Sequence, residues 1–267
     1  MHRALPDDPL PVLGDDEPGA FRTIELEINT ACDLACFGCD RMSDVTTAPN
    51  MTVSQVELFV KESLELGWKW ERIRLLGGEP TLHPQFFDCV HLLVGYRRAF
   101  PDVFLQVLSN GQGKSARYAE ALKILDVDLH FEQKWAGVQP GWFRNTRIAP
   151  VDRDPGVGEL PPCGIYGARG CGIGLSRNGY FLDGAGAAIA RVAGLDVGVM
   201  RLRDVTPRAM AEQAKVLCRL CGHWNPASGP EVTKQVSETG QVTGRYWTEA
   251  LARYAASKPV LKVYGDG

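Results

Sequence analysis

Strand-like and helix-like segments alternate over residues 21–135, and this alternation restricts the fold more than any other feature of the sequence. Strands are predicted at FRTIELEIN (21–29), RIRLLGG (72–78), VFLQVLSNG (103–111) and VDLHFEQ (127–133). Helices are predicted at TVSQVELFVKESLELG (52–67), from Pro84 to about Arg98, and at SARYAEALKIL (115–125). Helices of this length between strands are typical of right-handed βαβ units on a parallel sheet. The sequence therefore predicts an α/β fold.

Polar motifs follow each of these predicted strands. The first strand leads into TACDLACFGCDR, the second into GGEP, the third into SNG and the fourth into EQK. In parallel α/β sheets the reactive groups gather at the carboxyl ends of the strands. We therefore expect all four motifs to converge on one rim.

Eight cysteines occur in a chain with no signal that would take it out of the cytoplasm. The N-terminal stretch MHRALPDDPLPVLGDDEPG is rich in proline and acids, which predicts an arm over residues 1–20 and not a signal peptide. No apolar run is long enough to span a membrane, and the net charge of -3 gives no reason to expect nucleic-acid binding. Disulfides are disfavoured in a reducing cytoplasm. One cysteine, Cys89, lies in a helical pattern and is predicted to pack in the core.

Three of the remaining cysteines, Cys32, Cys36 and Cys39, stand within eight positions of one another. Structural zinc sites take four protein ligands, and catalytic zinc sites with three ligands typically include histidine, which is absent nearby. An iron–sulfur cluster held by three thiolates keeps one iron free for another molecule. The triplet therefore favours an iron–sulfur cluster with an open iron.

The CxxxCxxC triplet after the first strand, together with GGEP after the second, resembles the radical S-adenosylmethionine (SAM) superfamily. The resemblance covers roughly residues 22–135 and implies a truncated partial (β/α) TIM-like barrel with parallel strands. It implies that Cys32, Cys36 and Cys39 hold a [4Fe-4S] cluster whose free iron chelates SAM. It further implies SAM contacts from the GGEP and SNG motifs, and an aromatic side chain near the adenine. The cofactor-binding residues so implied are Phe37, Gly77, Gly78, Glu79, Pro80, Ser109 and Asn110.

The position of the aromatic residue departs from the family pattern. The family usually has an aromatic immediately before the third cysteine, where this chain has Gly38, with Phe37 one place earlier. Glu79 also has a plainer interpretation, as a turn acid that caps the following helix. The resemblance implies flavodoxin or ferredoxin as the electron donor.

After about residue 135 the alternation stops, and a boundary is predicted there between the partial barrel (21–135) and a smaller C-terminal domain (136–267). Four cysteines lie in this second part, the last two as a CxxC. The arrangement resembles the twitch and SPASM auxiliary-cluster domains, which implies a second [4Fe-4S] cluster. Asp183 is an alternative to Cys163 as the fourth ligand, and a zinc site with four cysteine ligands is an alternative to the cluster. The implied auxiliary ligands are Cys163, Cys171, Cys218 and Cys221.

A short barrel with a twitch-like module resembles the 2-deoxy-scyllo-inosamine dehydrogenase type of enzyme. This resemblance implies oxidation of a small-molecule alcohol, of the sugar or cyclitol type, with the auxiliary cluster as electron acceptor. The alternative is a radical SAM enzyme that modifies a peptide by crosslinking or epimerisation. A third possibility is a non-enzymatic zinc-binding or electron-transfer module, which GGEP and the open three-thiolate site argue against. The predicted catalytic residues, at the end of the fourth strand and in the linking segment, are Glu132, Arg144, Asp152 and Arg153.

Overall fold

The structure is a computed structural model that describes residues 21–36, 38–113, 115–131, 147–160, 172–222 and 243–266. Several predicted site residues lie outside these ranges, as does the predicted arm over residues 1–20. These site residues are Phe37, Glu132, Arg144, Cys163 and Cys171.

The first half of the chain alternates strands and helices as the sequence predicts. The strands are β1 (Thr23–Glu27), β2 (Arg72–Leu76), β3 (Phe104–Ser109) and β4 (Asp128–Phe131). The helices between them are α1 (Val53–Glu65), α2 (Phe86–Ala99) and α3 (Ser115–Ile124). Helix α1 begins at a capping box in which the Thr52 hydroxyl accepts from the Gln55 backbone N–H and the Gln55 side chain accepts from Thr52 N–H.

The strands form an open, mostly parallel sheet in the order β4-β3-β2-β1-β5-β6. Strand β5 (Ile173–Ser176) pairs in parallel with β1, and β6 (Gly179–Phe181) pairs antiparallel with β5. The carboxyl ends of β1 to β5 therefore lie on one rim, as expected for a parallel arrangement. The mixed α/β class is confirmed, and the sheet is compatible with part of a barrel.

One face of the sheet is apolar and carries the main core. Alternate residues of a strand point to the same face of the sheet. Strand β1 contributes Ile24 and Leu26 to the apolar face, and β2, β3 and β5 contribute the apolar residues paired with them. Helix α1 adds Val56, Phe59 and Val60, three of the four positions predicted from its periodicity, whereas the fourth, Leu64, is exposed. Cys89 of α2 is fully buried in the same core, which confirms its predicted packing role.

The second half of the chain builds another core on the opposite face of the sheet, next to β5 and β6. Its helices are α4 (Pro150–Arg153), α5 (Gly184–Ala193), α6 (Pro207–Leu217) and α7 (Arg245–Ala256). Helix α5 is buried along almost its whole length, which its small residues allow. Around it pack Phe181 of β6, Leu217 of α6 and Trp247 of α7. Met42, at the end of the loop that follows β1 and carries Cys32, Cys36 and Cys39 (the cysteine loop), packs there as well.

The sheet continues across the boundary predicted at residue 135. No strand is predicted from the sequence over residues 173–176, yet this segment pairs with β1 in the centre of the sheet. Its sequence, IGLS, contains a glycine and is too short to show the alternation of apolar and polar residues that predicts a strand. Gly174 is needed there because a Cβ would lie within 2.9 Å of the backbone of Asp183 and Gly184. Within the described residues, none of the helices has the length and apolar character to cross a membrane.

Candidate functional site

The three-cysteine loop starts directly after β1, at the carboxyl rim of the sheet. Cys36 and Cys39 are buried, and Cys32 is half-buried. Backbone hydrogen bonds from Cys39 N to Cys36 O and from Met42 N to Cys39 O coil the loop around the second and third cysteines. The loop therefore holds its three cysteines in a compact turn.

The GGEP motif packs backbone against backbone on the start of this loop. Gly78 N donates to Asn29 O at 3.0 Å, and Glu79 N donates to Ala31 O at 2.7 Å. A Cβ on Gly77 would overlap Asn29, and a Cβ on Gly78 would overlap the carbonyl oxygens of Thr30 and Ala31. The two glycines are therefore required for the β2 loop to lie against the cysteine loop.

Glu79 is fully buried and joins three strand ends, those of β2 and β3 through its carboxylate and that of β1 through its backbone. Oε1 accepts from Thr81 N at 3.2 Å and Thr81 Oγ1 at 2.6 Å. Ser109 Oγ lies 3.1 Å from Oε1 and 3.0 Å from Oε2, and Asn110 N donates to Oε2 at 2.8 Å. Asn29 Nδ2 donates to the Glu79 backbone oxygen at 2.9 Å. Glu79 thus caps the short 3-10 helix Pro80–Leu82, as the plainer interpretation has it, and also binds the end of β3.

Asn110 connects this network to the first cysteine. Its Nδ2 lies 3.7 Å from Cys32 Sγ and 2.7 Å from Asp33 Oδ1, while its Oδ1 accepts from Gln112 N at 2.7 Å. Leu34 N also donates to Cys32 Sγ, at 3.4 Å. The structure thus brings Cys32, Glu79, Ser109 and Asn110 together, as the sequence predicts, and places the Asn110 amide against the sulfur.

Burial raises the pKa of the Cys32 thiol above its ordinary value of 9.0, and the nearby charges of Asp33 and Glu79 raise it further. The backbone N–H of Leu34 and the amide of Asn110 act in the opposite direction. The net result is a thiol that keeps its proton at neutral pH without a metal. Metal binding therefore has to displace that proton, which makes metal uptake dependent on pH.

Buried ion pairs fix the far end of the cysteine loop. The Arg41 guanidinium donates to Glu25 Oε2 of β1, and Arg147 donates to Asp44. Burial alone would lower the pKa of Arg41, but Glu25, Asp40 and Glu27 raise it well above its ordinary value, so Arg41 stays charged. An ion pair at this depth is costly to break from one side, because it leaves the other charge uncompensated.

Helix α5 is tied to the same place. Arg191 Nη1 donates to Glu27 Oε1 at 2.6 Å, and Arg191 Nη2 donates to the backbone oxygen of Arg41 at 2.9 Å. Arg41 itself fills the space beside Gly184, where any Cβ would overlap its guanidinium. Strand β1, the cysteine loop and α5 thus form one unit.

A row of polar side chains crosses the face of the sheet opposite the main core. Arg74 donates to Glu25 at 3.1 Å and to Gln106 at 3.0 Å, and Gln106 donates to Asp128 Oδ2 at 2.7 Å. These residues are direct partners in the register of β1 to β4. Sequence reasoning missed this row, because its two acids, one base and one amide align only once the register of the four strands is known.

The CxxC motif lies at the carboxyl end of α6. Cys218 is the C-terminal cap residue, Cys221 N donates to Cys218 O at 3.3 Å, and both side chains are buried. Cys218 belongs to the main core and Cys221 to the second core. Of the four predicted auxiliary ligands, these two are in the described residues.

Two other candidates have structural contacts of their own. Asp152 Oδ2 accepts from Ala149 N at 2.8 Å and its Oδ1 accepts from Tyr246 N at 2.7 Å, so its carboxylate serves the first turns of α4 and α7. Asp183 caps α5 by accepting from Gly186 N at 2.6 Å. Arg153 is exposed at the end of α4. These contacts favour capping roles for the two aspartates.

Thiolates are the ligands that iron–sulfur clusters take, and the loop supplies three of them. Within the described ranges, no three Cys, His, Asp or Glu side chains are placed so that they could hold one metal ion. Each iron of a four-iron cluster takes its own thiolate, so cluster ligands need not meet at one point. Asn29 Oδ1, beside Gly77, is buried and has no hydrogen-bond partner among the residues that the structure describes, so an acceptor is available at the GGEP loop.

Comparison with known proteins gives two sequence relatives. The chain is 29% identical over 106 residues to a probable GTP 3′,8-cyclase of Pyrococcus horikoshii, which is 40% of this chain and 31% of that protein. It is 29% identical over 82 residues to a GTP 3′,8-cyclase of Shewanella denitrificans, covering 30% and 24% of the two chains. The matched segment thus spans about a third or less of these relatives. They support the resemblance to the radical SAM superfamily and support an enzyme. No family model matches the chain.

Among solved structures, the crystal structure of BtrN in complex with AdoMet and 2-DOIA is similar to this chain. The TM-score is 0.39 and the sequence identity 20%, over 46% of this chain and 48% of that chain.

Proposed function

We propose that this chain is a radical SAM enzyme, with Cys32, Cys36 and Cys39 as the ligands of a [4Fe-4S] cluster. The observation that carries the proposal is the hydrogen-bonded unit at the carboxyl rim, where the cysteine loop, the GGEP loop and the end of β3 meet at Glu79. When bound, such a cluster supplies the electron that cleaves SAM into methionine and a 5′-deoxyadenosyl radical.

In this proposal the chain's own residues orient SAM and exclude water. The protein donors around the Glu79 carboxylate engage both of its oxygens, so Glu79 acts by fixing the GGEP backbone and not as a free ligand. Asn29 Oδ1 offers an acceptor beside Gly77, suited to the ammonium group of a methionine moiety. Phe37 remains our candidate for the adenine contact, and it lies outside the described residues.

For the second half of the chain we propose an auxiliary [4Fe-4S] cluster in a twitch-like module. Cys163, Cys171, Cys218 and Cys221 would be its ligands. The buried CxxC at the end of α6 supports this assignment, and so does the engagement of Asp183 as a helix cap, which favours Cys163 over it. A zinc ion in the same four thiolates is the competing occupant.

As the reaction we propose hydrogen abstraction from a small-molecule alcohol of the sugar or cyclitol type, followed by its oxidation. The auxiliary cluster would accept the electron, and a flavodoxin or ferredoxin would supply the reducing electron. Glu132 and Arg144, outside the described residues, remain the candidates for substrate contact, together with Asp152 and Arg153. A peptide remains the alternative substrate class. A purine nucleotide such as GTP is a further candidate, because the names of the sequence relatives contain it.

Metal content and SAM cleavage test the first step of the proposal. Anaerobic reconstitution should give about eight irons per chain for two four-iron clusters, falling to about four in the Cys32→Ala/Cys36→Ala/Cys39→Ala variant. The reduced wild type should convert SAM to 5′-deoxyadenosine, and the triple variant should not. Cys89→Ala is the matched control, because Cys89 is a core residue away from the rim, and it should keep all of its iron.

The outcomes of this experiment separate the alternatives. About four irons with one zinc, the irons lost in the triple variant, would keep the radical chemistry and remove the auxiliary cluster. Iron uptake that is the same in the triple variant and the wild type would reject the proposed function.

A substrate panel tests the second step. Alcohols deuterated at the carbinol carbon, GTP and peptides would be incubated with the reduced enzyme and SAM. For oxidation we expect deuterium in 5′-deoxyadenosine and one ketone formed for each SAM consumed. Deuterium transfer without ketone formation would point to a redox-neutral reaction instead.

A further inference from the structure

Asn110 is held in one orientation by four contacts that come from three different loops. Its backbone N–H donates to Glu79, its Oδ1 accepts from Gln112 N at 2.7 Å, and its Nδ2 donates to Asp33 Oδ1 at 2.7 Å. The second hydrogen of Nδ2 is left for Cys32 Sγ, 3.7 Å away. Because the amide oxygen is already taken by a backbone donor, the amide cannot flip without losing these contacts.

A hydrogen bond to a cluster sulfur changes the energy of reduction. The added electron increases the negative charge on the cluster and its thiolates, and an N–H donor stabilises that charge more in the reduced state than in the oxidised state. Hydrogen bonds to the sulfurs and the net charge nearby are therefore two of the factors that set the reduction potential of an iron–sulfur cluster.

Asp33 acts on the same sulfur in the opposite direction. Its carboxylate places a negative charge beside Cys32, which disfavours further negative charge there, and it also accepts the Asn110 amide. The donor and the charge are thus adjacent and can be removed independently by isosteric substitutions. Their effects on the potential should have opposite signs.

We propose that Asn110 is a positioning residue that raises the reduction potential of the cluster at Cys32 through an N–H···S hydrogen bond, with Asp33 orienting its amide and opposing its effect. This inference rests on the proposed function, because it requires a cluster at Cys32. It assigns the Asn110 side chain to the sulfur and not to the nucleoside or carboxylate of SAM.

The test is an EPR-monitored redox titration of the reconstituted full chain without SAM. Asn110→Ala should shift the midpoint potential to a more negative value, and Asn110→Asp should shift it further, because it replaces the donor with a charge. Asp33→Asn should shift the midpoint to a more positive value, since an asparagine oxygen can still accept the Asn110 amide. Gln112→Ala is the matched control in the same loop: its backbone N–H remains, and its midpoint should equal that of the wild type.

Iron content measured on the same samples separates this inference from the proposed function. Wild-type protein that takes up no iron on Cys32, Cys36 and Cys39 overturns both together. Wild-type protein that holds iron and cleaves SAM, with an unchanged midpoint in Asn110→Ala and Asn110→Asp, overturns the inference alone. A shift in the same direction for Asn110→Ala and Asp33→Asn would also overturn it, because general loosening of the loop would act on both alike.

Discussion

At the scale of single residues, the rim depends on glycines as much as on polar groups. Gly78 lets the β2 loop lie against the carbonyl oxygens of Thr30 and Ala31, which places Glu79 within reach of Ser109 and Asn110. The hydrogen bonds of the Glu79 carboxylate therefore depend on the close backbone contact that Gly78 allows. A side chain at this position would therefore disturb the whole unit.

Gly78→Ala should lower the free energy of unfolding by about 1–3 kcal/mol, the usual range for forcing extra atoms into a packed site. Gly95→Ala is the control: Gly95 lies in α2, and among the described residues no atom of a neighbour comes within 4 Å of the place where a Cβ would be added. In a helix interior this change should raise the free energy of unfolding by about 0.5–1 kcal/mol. Chemical denaturation of both variants measures these values, and a Gly78→Ala protein as stable as the wild type would contradict the packing argument.

Cys89 makes the free energy of unfolding depend on pH in the alkaline range. Burial raises the pKa of its thiol from 9.0 to about 12. The unfolded chain therefore loses this proton at lower pH than the folded chain does, so proton release favours unfolding. The stabilisation is complete below pH 9 and is lost as the pH rises towards about 12.

Cys89→Ala removes this proton from both states. The free energy of unfolding, measured by denaturation between about pH 8 and pH 11, should fall less steeply with pH in the variant than in the wild type. Some slope will remain, because burial also raises the pKa of Tyr96 to about 12. Equal slopes in the two proteins would show that Cys89 does not carry the effect.

At the scale of helices and strands, caps join segments that are far apart in the sequence. Asp152 lies in the first turn of α4 and accepts a backbone N–H from the first turn of α7, 94 positions further on. It therefore fixes the angle between two helices that pack around the second core. Sequence reasoning places Asp152 among the catalytic residues and could not foresee this contact, because its partner is distant in the sequence.

Asp152→Ala should cost about 2 kcal/mol of unfolding free energy, near the upper end for the loss of a helix cap. Its neighbour Arg153 is exposed, so Arg153→Ala should change the unfolding free energy by no more than about 0.5 kcal/mol. Thermal and chemical unfolding of the pair provide the measurement. Equal stability of the two variants would contradict the capping role of Asp152 and would favour its predicted catalytic role.

At the scale of the whole molecule, the central position of β1 decides how the two halves depend on each other. Strand β1 pairs with β2 on one side and with β5 on the other. The buried pairs Glu25–Arg41 and Glu27–Arg191 lie at the same strand and reach the cysteine loop and α5. The halves are therefore parts of one sheet and share their charged contacts.

A fragment of residues 21–135 should not fold cooperatively by itself. It would lose Ile173, Leu175 and Tyr180 from the main core, and each buried side chain of this size contributes about 1.5–3 kcal/mol. That sum is comparable with the total stability of about 5–15 kcal/mol that most domains have. Circular dichroism during heating tests this, with the full chain as reference, and a sharp transition in the fragment at the temperature of the full chain would contradict it.

Much of the first half was predictable because its signals are local. The helical spacing of Val56, Phe59 and Val60, the turn glycines and the short apolar strands are each read from neighbouring residues. The same reading failed for β5, whose four residues are too few to show a period. It also failed for the row from Glu25 to Asp128, which becomes visible only when four strands are placed in register.

The sequence by itself determined the α/β alternation and the rim on which the CxxxCxxC and GGEP loops meet, and it predicted the class of chemistry that we propose for them. The tertiary structure decided where β5 lies, that the Glu79 carboxylate is a hub, and that the Asn110 amide faces a sulfur 78 positions earlier in the chain. The reason is physical: periodicity and turn chemistry act over a few residues, whereas buried hydrogen bonds and ion pairs depend on which distant segments the closed core brings together.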